Sequence, residues 1–143
     1  MKGIKMATLK DVKRLKALCE KYELEGREIL NRFSDEKLAE VFNGIGPEAF
    51  PDWLRAVLDF IHPSLEPVAF LHDAEWELSD GTKESFTASN ERFKRNGYKV
   101  AKADFSWWRP RRYVVMNHAR RFGNICQAFG WSAWMAPFKE RQS

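Results

Sequence analysis

Apolar positions recur along this chain at three- and four-residue steps, the spacing of amphipathic helices rather than strands. Leu9, Val12, Leu15, Leu18/Cys19 and Tyr22 make the first stripe. Thr8 followed by Asp11 resembles a capping box at its start. Gly26 and Ser34 punctuate the chain, and Ser34-Asp-Glu36 opens a short helix carrying Leu38, Val41 and Phe42 that stops at Asn43-Gly44. Pro51-Asp52 opens another, with Trp53/Leu54, Val57/Leu58 and Ile61 inward, ended by His62-Pro63. A central helix follows from Ser64, with Val68, Leu71/His72 and Glu75/Trp76 along one side. Thr82 caps a helix predicted to run to Asn96 and end at Gly97. Residues 98–105 alternate weakly and read as extended. The last long helix starts near Pro110, carries Val115, Ala119, Phe122, Cys126 and Phe129 inward, and ends at Gly130. Trp131, Trp134 and Phe138 then fold back as a lid. The pattern predicts an all-α single domain, residues 1–143, of about five to six helices.

Composition narrows this reading. Hydrophobic residues make up 44% of the 143 positions, with six Trp and eleven Phe, enough for a packed core. No apolar run approaches the roughly 20 residues that span a bilayer. Met1-Lys-Gly-Ile-Lys-Met6 lacks the apolar core of a secretory signal, so synthesis in the cytoplasm is expected. Cys19 and Cys126 fit neither a disulfide framework nor a zinc motif. The net charge of +4 is unevenly placed. Residues 1–90 hold 12 Lys/Arg against 17 Asp/Glu, whereas residues 91–143 hold 12 against 3. A basic half of this kind suits a phosphate-bearing partner, either nucleic acid or an anionic membrane, or is a solvated face that balances the acidic half.

The candidate chemistry centres on His72-Asp73. On a helix His72 stacks with Val68 and Trp76, four residues to either side, and faces the core. Phe86, Asn90, Phe93 and Gly97 recur at steps of four, three and four, so the amide of Asn90 points inward and needs a partner. Across the short Ser79–Gly81 turn, antiparallel helices bring Asn90 to His72. That contact is either a structural hydrogen bond or the orientation of a general base for water. Asp73 lies about 100° around the helix from His72. It is either a surface carboxylate paired with Lys or Arg, or a ligand for a hard cation. Carbonyls of the Asn43-Gly44-Ile45-Gly46-Pro47 loop would supply the remaining oxygens.

A glycine-containing loop ending in Gly-Pro, then His-Asp-x-x-aromatic on a helix, then a polar residue one helix later, resembles the phospholipase A2 family. The closest likeness is to its disulfide-free viral and bacterial members and to phage or prophage relatives. The resemblance covers roughly residues 40–130. It implies an antiparallel helix pair within a 41–130 core, a 1–40 helical extension and an aromatic 131–143 tail. It also implies a calcium-dependent phospholipid ester hydrolase made in the bacterial cytoplasm and associated with virions. His72 would be the base, Asp73 the calcium ligand, Asn43, Gly44 and Gly46 the calcium loop, and Trp76 would replace a tyrosine. Two departures point to a lapsed relative. The position of the orienting acid holds Asn90, whose missing charge lowers rate on the order of 10⁴ by analogy with a protease triad. The loop is also glycine-poor, and a predicted helix separates it from His72.

Trp107-Trp108-Arg109-Pro110-Arg111-Arg112-Tyr113 is the third candidate. Indoles beside guanidinium groups suit a membrane interface, through headgroup contact, or single-stranded nucleic acid, through stacking and backbone charge. The plainer expectation buries both tryptophans in the core and leaves the arginines solvated. The competing function is therefore a non-enzymatic binding module that contacts nucleic acid or a virion protein through its basic half. His62, at a helix end, and His118, expected to be exposed, carry no assigned role.

Overall fold

The computed structural model describes residues 8–43 and 62–143, and among them every regular element is helical. Six α-helices run in the order α1 Leu9–Lys21, α2 Asp35–Asn43, α3 Glu66–Glu77, α4 Lys83–Asp104, α5 Pro110–Phe129 and α6 Trp131–Gln142. Short 3₁₀ segments at Arg27–Arg32 and Pro63–Leu65 precede α2 and α3. The helix expected from Pro51 to Ile61 and the glycines Gly44 and Gly46 lie outside the described residues. No described helix is long and apolar enough to cross a membrane.

Local chemistry sets the helix starts. Thr8 and Asp11 form the reciprocal capping box, and the Thr82 hydroxyl accepts the Ser85 N–H at 3.2 Å. Gly81, at φ +74°, makes the turn between α3 and α4. Contacts between these two helices run in opposite order along the chain, Trp76 with Phe86 and Ser89, His72 with Asn90 and Phe93. The pair is thus antiparallel.

Tertiary packing overrides the local signals twice. Gly97 does not end α4, which continues seven residues further to Asp104. The glycine is instead the point where α4 and α5 touch: a Cβ there would sit 2.3 Å from the Ala119 Cβ. Residues 98–104 are helical rather than extended, because Val100 and Ala101 continue the inward stripe of Phe93 and Gly97. The 131–142 segment also goes beyond the expected lid. It forms α6, whose Trp134 is 3% exposed and packs on Trp76 and Phe86. Val12, Leu15 and Cys19 of α1 join the same core, so the first and last helices are part of one packed unit.

Candidate functional site

α3 and α4 hold His72 between aromatic faces. Its ring lies 4.7 Å from Trp76, 5.1 Å from Phe93 and 6.0 Å from Phe122, centroid to centroid. His72 Nε2 and Asn90 Oδ1 are 3.0 Å apart, the contact expected from the helical spacing. Asn90 Nδ2 donates to Gln127 Oε1 at 2.8 Å, and Gln127 Nε2 donates to Thr87 Oγ1 at 2.9 Å. With its amide hydrogen committed to Gln127, Asn90 offers its oxygen to the imidazole, so His72 Nε2 carries the proton. Its neighbour Ser89 accepts from Trp76 Nε1 at 2.9 Å and donates to the Phe86 carbonyl at 2.8 Å. Both members of the polar pair that interrupts the apolar stripe are therefore buried and hydrogen-bonded. Thr87 and Gln127 were not anticipated. Gln127 follows Cys126 at the edge of the inward stripe, and only the packing of α5 on α4 brings it to Asn90.

Burial pushes the His72 pKa down to about 4, against the smaller opposing pull of the Asn90 bond. The imidazole is neutral near pH 7, and the driving force for taking a proton from water is small. The neighbouring carboxyls move the other way. Burial raises Glu75 to about 7, although Arg92 Nη1 donates directly to its Oε1. Burial alone raises Asp73 well above the usual carboxylate range. Asp73 is half-buried as a residue, yet its Oδ2 is sealed from solvent and has no hydrogen-bond partner among the described residues. The surface ion pair that was one of the two expectations is not formed among the described residues.

An orphaned carboxyl oxygen is one feature that a bound cation would satisfy. Among the described residues no group of three His, Cys, Asp or Glu can hold a metal. Asn43 is the last residue of α2, while Gly44 and Gly46 lie outside the described residues. His118 is half-buried rather than exposed, with its Nδ1 sealed from solvent and its ring 6.5 Å from that of His62.

The third candidate lies on the surface. Trp107 and Trp108 are 73% and 64% exposed, which corrects the expectation that they enter the core. They occupy the turn joining α4 to α5, at the far end of that hairpin, and only Phe105 turns inward, 6.2 Å from the His62 ring. The turn is ordered by its own contacts. Arg109 N–H donates to the Ser106 carbonyl at 2.9 Å, and the Tyr113 hydroxyl donates to the Trp107 carbonyl at 2.5 Å. The Arg109 guanidinium stands 5.6 Å from the Trp108 ring.

Among the described residues, the arginines around this turn make no ion pair. From residue 105 to 139 the chain has no Asp or Glu and six Lys or Arg, Arg109, Arg111, Arg112, Arg120, Arg121 and Lys139. None of these six enters an ion pair among the described residues. Neither a family model, a curated protein nor a solved structure matches the chain.

Proposed function

We propose that the protein is a non-enzymatic binding module that holds single-stranded nucleic acid on the outer side of α5 and on the turn before it. The observation that carries this reading is the acid-free stretch with two exposed tryptophans. Indole faces stack on unpaired bases, each worth about 1–3 kcal/mol, and guanidinium groups contact the phosphates. Arg109 and Arg121 are 12 residues apart, about 18 Å along a helix. The arginines fall into two groups, one at the turn and Arg120 and Arg121 about two helical turns on, a spacing that a linear polyanion can follow. The buried His72–Asn90–Gln127 chain then fixes how α3, α4 and α5 pack, and so how the turn is presented.

The test is fluorescence anisotropy with a labelled single-stranded oligonucleotide, across a salt series. Affinity is expected to fall steeply with salt. Changing Arg109, Arg111 and Arg112 together to Gln should flatten the log–log slope by about 2, at roughly 0.7 per phosphate contact. Binding to anionic vesicles without binding to the oligonucleotide would move the reading to a membrane. Binding to neither would overturn it.

A second reading, the calcium-assisted phospholipid hydrolase or its lapsed relative, draws on the His72–Asn90 contact and the orphaned Asp73 carboxyl. The neutral, ring-enclosed imidazole and the uncharged Asn90 weigh against turnover. If Asp73 binds calcium, millimolar calcium should raise the melting temperature of the wild type and not of Asp73→Ala. An equal response in both proteins would remove the ion site.

A further inference from the structure

A cavity of about 170 Å³ opens where the 3₁₀ segment, α3, α4 and α6 meet, and its lining includes neither His72 nor the tryptophan turn. Glu75 and Arg92 stand in its wall, Arg92 Nη1 donating to Glu75 Oε1, with the two side chains 10% and 27% exposed. Removing such a pair from water gains little stability over apolar residues of the same size, so its presence in a cavity calls for another reason. Glu75 Oε2 makes none of the described hydrogen bonds. Arg32, exposed on the 3₁₀ segment, lines the same cavity and has no partner among the described residues.

The two serines there are already committed. Ser85 donates to Asp80 at 2.7 Å, and Ser89 holds Trp76 and the Phe86 carbonyl. What remains for a ligand among the described groups is the Arg32 guanidinium, Glu75 Oε2, the N–H groups of Arg92 beyond its bond to Glu75, and Trp134 Nε1, which is sealed from solvent without a partner among the described residues. Ile29, Leu78 and Trp134 supply the apolar wall. The residues come from four elements spread from position 29 to 134, the usual construction of a small-molecule site between helices.

We propose that this cavity binds a free α-amino acid with an apolar side chain. Arg32 takes the carboxylate, Glu75 takes the ammonium group, and the side chain lies against Ile29, Leu78 and Trp134. The volume equals about five or six waters at roughly 30 Å³ each, which suits a molecule of that size. A simple anion would leave Glu75 unanswered, and a simple amine would leave Arg32 unanswered. This site is independent of the nucleic-acid reading.

The experiment is a thermal melt and isothermal titration of the whole chain with leucine, and with acetate and methylammonium as carriers of one charge each. Leucine should raise the melting temperature and the two controls should not. Arg32→Ala, which removes an exposed side chain with no partner, should melt as the wild type does without ligand and bind leucine at least tenfold more weakly. Titration of ¹⁵N-labelled wild type should move the Trp134 indole N–H signal, a readout that does not depend on any variant folding. Acetate matching leucine, leucine binding undiminished by Arg32→Ala, or an indole signal unmoved by leucine would each overturn the proposal.

Discussion

The two ends of the α4–α5 hairpin use the same residue types to opposite effect. From the α3 end to the later part of α4, Trp76 and Trp134 are core, and Arg92 and Arg95 are paired with acids. Trp76 and Trp134 pack edge to face at 6.0 Å. Arg92 meets Glu75, Arg95 grips Glu25 through two bonds of 2.9 and 2.7 Å, and Lys99 donates to the Glu23 carbonyl at 2.6 Å. At the turn end, Trp107 and Trp108 face solvent, and Arg109, Arg111 and Arg112 enter no ion pair among the described residues. Glu23 and Glu25 of the acidic first half lie against the middle and later part of α4, at Arg95 and Lys99, and Tyr22 donates to Asp104 at the end of that helix at 2.7 Å, whereas none of the described ion pairs involves Arg109, Arg111 or Arg112. An arginine count therefore says little about available charge until the carboxylates have been placed. The same holds for tryptophans: Trp76 and Trp134 are core where α3 and α6 pack together, and Trp107 and Trp108 are exposed at the turn.

The largest expected contrast comes from truncating one tryptophan at each end. Trp134→Ala should destabilise the fold by about 3–5 kcal/mol, the range for a buried large aromatic. Trp107→Ala should stay within about 0.5 kcal/mol, as surface changes do, and instead weaken oligonucleotide binding. Denaturant melts of both variants check this, and similar losses would remove the distinction between the ends.

A smaller effect sharpens the same comparison through pH. Glu75 titrates near 7 in the folded protein and near 4.5 unfolded, so the folded state holds its proton more tightly in that window. Stability from this group is full below about pH 4.5 and is lost as pH rises to 7. His72 acts in the opposite direction. Its folded pKa of about 4 lies below the ordinary 6.5, so its contribution is present above 6.5 and lost as pH falls to 4. Melting the wild type beside Glu75→Gln should show the wild type losing ground to the variant between pH 4.5 and 7. Beside His72→Gln, the wild type should lose ground as pH falls from 6.5 to 4. Removing Arg109 at the turn should leave both profiles unchanged.

The helical class, the capping of α1 and α4 and the inward direction of His72 and Asn90 were legible from spacing alone. A period near 3.6 places residues on a helix face whatever that face later meets. The end of α4 was misread because Gly97 carries the same local signal whether it stops a helix or lets another approach closely. The Trp107-Trp108 turn was left open between an exposed interface and a buried one, because hydrophobicity states a preference for burial and not whether anything is there to bury against; both tryptophans are exposed. For Asp73, neither of the two sequence readings anticipated a carboxyl whose Oδ2 is sealed from solvent and has no partner among the described residues.

What the sequence determined by itself is thus whatever depends on neighbours within about one helical turn: caps, stripes, and the side of a helix on which a polar residue falls. Which arginines keep their charge free, which tryptophans stay wet, and that Glu75, Arg92, Arg32 and Trp134 border one cavity were decided by the tertiary structure. Those properties depend on groups tens of residues apart, whose distances are set when α4 closes on α3, α5 and the acidic first half of the chain.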